Sequence, residues 1–255
     1  MGMIGEQSGR APSRRILGHL RCVGEEAARE MLWPTRCAIC DAPGELLCRD
    51  CRSKLPFVDY WNACPVCGAP FGRVQCTECG PTALADFSLH VPPFDGFVSA
   101  VQYNDQVARL IRVWKDRGER RLAVEMARMM ACVLPPPWRS EQGIVLPIPA
   151  TEHALRRRGF DHGSDLARNL ADELAFPLVQ AYLPPKSFDQ RALGRRERLK
   201  NMQTALSLRP GFVPSACALL VDDVCTTGAT LYSAALLLRE AGVGTIRCAT
   251  FARTF

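Results

Sequence analysis

The chain has 255 residues, enough for one large domain or two unequal ones. Apolar residues make up 47% and charged residues 23%, a soluble globular composition, and no apolar run is long enough to cross a bilayer. The net charge of +6 is uneven: positions 37–80 hold four basic against five acidic residues, which speaks against a DNA-binding role there, whereas 186–200 holds six against two.

The first stretch, MGMIGEQSGRAPSRRILGHLRC, lacks the continuous apolar segment of a secretory signal. Glu6 stands where myristoylation needs Ser or Thr. A cytoplasmic protein without membrane insertion is expected. Within positions 1–36, Ile16, Leu17, Leu20, Val23, Ala27, Met31 and Leu32 fall at helical spacing.

Positions 37–80 form a second unit with little apolar core of its own. Four Cys-x-x-Cys pairs follow one another: Cys37/Cys40, Cys48/Cys51, Cys64/Cys67 and Cys76/Cys79. Each pair is a tight turn that aims two thiolates at one point, and two turns complete a tetrahedral site. In a cytoplasmic chain such clustering favours metal over disulfides. Two structural Zn2+ sites are expected, with zinc the default for a closed four-sulfur site. Sequential pairing is the simplest arrangement, and a cross-brace stays open. The other cysteines, Cys22, Cys132, Cys217, Cys225 and Cys248, read as small buried apolar residues.

After a Pro- and Gly-punctuated connector, positions 94–255 alternate between strands and helices. FVSAVQY is a strand. Val107, Leu110, Ile111 and Trp114 form one helical stripe, and Leu122, Met126, Met129, Met130 and Val133 another. GIVLPIP is a buried strand stopped by prolines. Leu166, Leu170 and Leu174 line a further helix face. ACALLVDD is a strand ending in two acids. A helix over 228–241 has Leu231, Ala235 and Leu238 inward, and TIRCATFA is a last strand. This alternation predicts an α/β domain with a mostly parallel sheet and flanking helices.

The stretch LLVDDVCTTGAT, 219–230, concentrates the chemistry. Asp222 and Asp223 arrive at the carboxyl end of a strand, where open α/β sheets bind ligands. Thr226, Thr227, Gly228, Ala229 and Thr230 then turn into a helix whose first N–H groups lack helical partners. Small residues let backbone wrap a phosphate, and the acids can accept bonds from sugar hydroxyls. A ribose 5-phosphate fits the pattern. The plainer reading is an acidic strand end followed by a Thr helix cap.

This stretch resembles the phosphoribosyl-pyrophosphate signature of type I phosphoribosyltransferases. Together with LWPTRCAIC, YNDQVARLIRVWKDRG, LPIPATEHALRRRGFDH and SFDQRALGRRERLKNM, it makes the chain similar to the ComF (ComFC/GntX-like) family over positions 30–255. The resemblance implies a type I phosphoribosyltransferase-like fold with a zinc-ribbon extension, and phosphoribosyl pyrophosphate with Mg2+ as ligands. It assigns the ribose to Asp222 and Asp223 and the 5-phosphate to Thr226–Thr230. Ala150, Thr151, Glu152, His153, Arg156, Arg157 and Arg158 fall in the loop facing pyrophosphate, with Lys115 and Arg117 as weaker contacts. Gln190, Arg198 and Asn201 match polar positions of the family's flexible loop. Phe160 reads as a packing residue and His162 as a helix start. Thr226 stands where 6-oxopurine enzymes carry an aspartate, which weakens a purine assignment. Two functions follow: transfer of ribose 5-phosphate to a nitrogen acceptor, or a binding module that assists uptake of single-stranded DNA in competence, beside a helicase.

Overall fold

The computed structural model describes residues 34–72, 74–85, 87–185 and 206–255. The helix expected within positions 1–36 falls mostly outside the described residues, as do the loop positions Gln190, Arg198 and Asn201 and also Cys22.

Two short helices, α1 (Arg49–Ser53) and α2 (Pro81–Ala85), precede the sheet. The chain then runs β1 (Gly96–Gln102), α3 (Asp105–Asp116), α4 (Leu122–Val133), α5 (Pro136–Ser140), β2 (Ile144–Pro147), α6 (Glu152–Arg158), α7 (His162–Leu174), β3 (Cys217–Cys225), α8 (Ala229–Glu240) and β4 (Thr245–Arg253). All pairings among the four strands are parallel, in the order β1-β4-β3-β2. Strands buried on both faces need near-continuous apolar runs, and Ala218 to Val221 is such a run.

The pleat sends alternate residues of β3 to opposite faces. Leu219 and Val221 pack with α3, α4 and α7, while Ala218 and Leu220 pack with α8, Phe87, Phe94 and Tyr182. The predicted stripe of α3 is fully inward: Val107, Leu110, Ile111 and Trp114 are all buried. Each such side chain contributes about 1.5–3 kcal/mol of burial. Asn104 caps α3 by accepting the Val107 N–H at 3.0 Å, which sets where the helix starts.

The cysteine unit is tied to this body. Cys37, Ile39, Leu47 and Leu55 share one apolar core with α3 and α4, and Arg52 pairs with Glu125 of α4. The following segment covers the outer edge of β1: Val58 donates to Ala100 O at 3.0 Å, and Gln102 donates to Pro56 O at 2.9 Å. An open strand edge is thereby closed.

Two expectations need correction. Cys132 is exposed and Cys217 is half-buried, whereas Cys225 and Cys248 are buried as expected. Cys132 follows the inward Met130 by two residues, which on a helix turns it to the outer face. Second, β3 does not end at its two acids but runs on to Cys225, because β4 stays beside it through the pairs Val224 with Ala252 and Cys225 with Arg253.

Candidate functional site

β2 stops at Pro147, opposite Val221, and Ile148 N–H still reaches Val221 O at 2.9 Å. Past that point β3 has a neighbour only on its β4 side among the described residues. Asp222 and Asp223 therefore stand in a notch between the end of β2 and the extension of β3.

The two acids point to opposite faces. Asp223 lies on the α3 face, is 5% exposed, and makes an ion pair with Lys115. Burial would raise its carboxyl, but the Lys115 ammonium and His162 outweigh this and hold it below the ordinary range. Asp222 is half-buried on the α8 side. Burial, then the neighbouring Asp223 charge, pushes its carboxyl up, and its Oδ1 accepts the Asp223 N–H at 2.9 Å.

His162 opens α7 behind this pair, with Asp161 as its cap. Its ring meets Trp114 edge-on at 5.6 Å, and Arg158 Nη1 lies 3.4 Å from its Nδ1. Burial, then the Lys115 charge, lowers its pKa to about 4, so the imidazole is neutral near pH 7. Its reading as a simple helix start missed this contact. Phe160 does serve as packing, lying under the Arg120 guanidinium.

Beyond Cys225 the turn Thr226-Thr227-Gly228 leads into α8, and Ala229 and Thr230 form its first turn. Gly228 has φ +76°, and a Cβ there would sit 3.0 Å from the Tyr232 ring. The cap position makes no side-chain bond; Thr227 Oγ1 accepts the Ala229 N–H only at 3.4 Å. The threonine hydroxyls thus do not build a tight helix cap, contrary to the plainer reading.

On the β2 side, Ala150 is buried in the loop. Thr151 caps α6 by accepting the Ala154 N–H at 3.2 Å, and Glu152 and His153 are exposed in its first turn. Arg156 pairs with Glu152 at 3.6 Å. Arg157 and Arg158 both reach Asp116 at 3.3 Å, fastening α6 to the end of α3. Lys115, Asp116, Arg117, Gly118, Arg157 and Arg158 line a cleft of about 440 Å³. Its four cations outnumber the carboxylates they meet, Asp116 and the Asp223 partner of Lys115, and the excess positive charge is attractive to an anion. The structure brings Lys115, Arg157 and Arg158 to the acid pair's side, while Arg156 faces solvent.

The cysteines form two clusters, Cys37/Cys40/Cys48/Cys51 and Cys64/Cys67/Cys76/Cys79, each with all sulfurs within 4.8 Å of one another. Pairing is sequential. A tetrahedral site with Zn–S near 2.3 Å has sulfurs about 3.8 Å apart. Cys40 to Cys48 is 3.7 Å, Cys64 to Cys79 is 3.7 Å and Cys67 to Cys76 is 3.4 Å. Within the first cluster, N–H groups of Cys40, Cys48 and Ile39 outweigh burial and lower the Cys37 thiol to about 6, whereas burial and the neighbouring sulfurs push Cys51 up. Both clusters support structural Zn2+. Among the described residues no acidic group set forms a comparable cage, and no helix is long and apolar enough to cross a membrane.

By class, then, the molecule is a parallel α/β domain carrying a double zinc ribbon, and residues 28–82 match the double zinc ribbon domain family. The chain is 30% identical over 228 residues to the DNA utilization protein YhgH of Salmonella typhimurium, covering 82% of this chain and 97% of that protein. It is 27% identical over 203 residues to competence protein ComFC of Bacillus subtilis, covering 78% and 80%, and 26% identical over 215 residues to competence protein F of Haemophilus influenzae, covering 81% and 90%. It belongs to the ComF family. Among solved structures it overlaps orotate phosphoribosyltransferase from Aeropyrum pernix, at 18% identity and a TM-score of 0.32, over 59% of this chain and 65% of that one. Hypoxanthine phosphoribosyltransferase from Trypanosoma cruzi overlaps 55% of this chain, and 79% of its own, at 13% identity and a TM-score of 0.30.

Proposed function

We propose that the chain binds phosphoribosyl pyrophosphate in the notch beside β3 and transfers its ribose 5-phosphate to a nitrogen acceptor. One observation carries the reading: the extended strand sets an acid pair between a glycine-bent helix start and a four-cation cleft. That order matches the donor's own charge order, phosphate, diol and pyrophosphate. Thr226–Thr230 would take the 5-phosphate, and Asp222 with Asp223 the ribose hydroxyls. Lys115, Arg117, Arg157, Arg158 and the loop at Ala150–His153 would take the pyrophosphate, with Gln190, Arg198 and Asn201 as further polar contacts to it.

Lys115 keeps Asp223 ionised and ready to accept. Acceptor nitrogen bonds to C1′ as the C1′–O bond to pyrophosphate breaks, with inversion. The protein's part is positioning and charge stabilisation. Mg2+ would arrive on the substrate's own oxygens, since it keeps several waters and binds through phosphates. When bound, Mg2+ would neutralise charge building on the leaving group. Thr226 offers no carboxylate to a base, which disfavours a 6-oxopurine acceptor.

A second reading is favoured by the relatives' names and by the basic cleft. In it the chain is a cytoplasmic binding module for single-stranded DNA during uptake, acting beside a helicase. Pyrophosphate release from the donor, assayed over a panel of bases and amines, separates the two. Release with any acceptor supports transfer; none across the panel, with single-stranded DNA bound, favours the module.

A further inference from the structure

The last rung of the β3–β4 ladder pairs Cys225 with Arg253. Thr254, one residue on, holds the start of the Thr226–Thr230 loop from behind. Its N–H donates to Cys225 O at 3.0 Å and its hydroxyl to Thr226 O at 3.4 Å. Arg253 is 7% exposed and donates from Nη1 to the carbonyl of Cys67, a sulfur ligand of the second cluster. Its guanidinium lies 4.8 Å from the Phe97 ring centre and 5.0 Å from that of Phe255.

Among the described residues no carboxylate pairs with Arg253, and its Nε has no hydrogen-bond partner. A buried charge without a counter-charge is costly. Zn2+ with four thiolates carries a net charge of about −2 by the ligand chemistry. The second cluster is therefore the countercharge in reach, beside the Cys67 carbonyl that Arg253 already holds.

The knuckle is also seated hard on the sheet. Gly68 has φ +70°, and a Cβ there would sit 2.5 Å from Phe97 O. Only glycine permits both the left-handed backbone and that approach.

We propose that the second zinc knuckle is the outer brace of the loop at Thr226–Thr230, with Arg253 and Thr254 as the positioning residues that join them. Loss of zinc from Cys64/Cys67/Cys76/Cys79 leaves Arg253 without its countercharge. The β4 end and Thr254 then loosen, and the loop with them. The first cluster shares the apolar core of α3, α4 and β4 instead, and among the described residues none of its cysteines hydrogen-bonds to the loop, to Arg253 or to Thr254. Any effect on donor affinity rests on the donor-site reading above, whereas the brace itself does not.

The test is hydrogen exchange by mass spectrometry on the full chain, with zinc content measured on the same samples. Cys76→Ser, Arg253→Met and Thr254→Val should each speed exchange over 226–232 by about tenfold, the local opening being easier. Cys40→Ser should leave those amides at the wild-type rate. Arg253→Met should also speed zinc release to a chromogenic chelator, while Thr254→Val keeps both zincs. Unchanged loop exchange in Cys76→Ser that has lost one zinc would overturn the brace, and so would equal acceleration by Cys40→Ser. If the cysteine variants fail to fold, Thr254→Val decides, since it changes only the contact to the loop: unchanged exchange there also overturns it. Failure of wild type to bind phosphoribosyl pyrophosphate would sink the donor site and leave these exchange comparisons standing.

Discussion

Lys115 and Asp223 lie 108 positions apart and meet at the carboxyl end of the sheet as a buried ion pair. Removing one partner of such a pair leaves the other charged and dry. Lys115→Met should cost about 3–5 kcal/mol in denaturant unfolding, and adding Asp223→Asn should recover most of that loss. Asn is a gentler probe than Ala at both acids, because its amide keeps the shape and an oxygen that can still accept from Lys115 although the countercharge is gone. His162 adds a pH signature. Its pKa is about 4 when folded against an ordinary 6.5, so between those values the unfolded chain binds more protons. Stability should therefore fall as pH drops from 6.5 toward 4, by up to roughly 3 kcal/mol, and His162→Phe should flatten that slope. Neither partnership was legible in the sequence. In the sequence Lys115 reads as a weaker pyrophosphate contact and His162 as a helix start, because the contacts join α3, α7 and β3 across long stretches of chain.

At the scale of elements, the strands and helices of 94–255 were legible because each repeats a local pattern: apolar runs bounded by Pro or Gly, or stripes at helical spacing. The four Cys-x-x-Cys pairs were legible for the same reason, but the choice between sequential pairing and a cross-brace was not, since it depends on how the turns fold onto one another. What local pattern could not give was the length of β3. Its last two residues are strand because β4 accompanies them, which moves the acids from the strand's tip to its side. The adjacency of Asp222 and Asp223 also concealed that the pleat sends them to opposite faces. The bend at Gly228 is a testable consequence. Gly228→Ala meets both a positive φ and the Tyr232 ring; it should cost about 1–2 kcal/mol and weaken donor binding more than it weakens the fold. The two ribbons should differ likewise. Emptying the first, by Cys40→Ser, removes part of the main core and should lower the melting temperature by about 2–4 °C per kcal/mol lost.

Over the whole molecule, zinc ribbons close the edge of a parallel sheet whose other end opens beside β3 onto a basic cleft. The family relationship fixes what the chain is akin to, while the notch, the acid pair and the cation cleft bear the claim about its ligand. Calorimetric titration with phosphoribosyl pyrophosphate and Mg2+ tests that claim most directly, run on wild type and on Asp222→Asn with Asp223→Asn. The account predicts saturable one-site binding by wild type, lost in the double variant while its melting transition stays cooperative. Absence of binding by the zinc-loaded wild type, or equal affinity in the double variant, would contradict it.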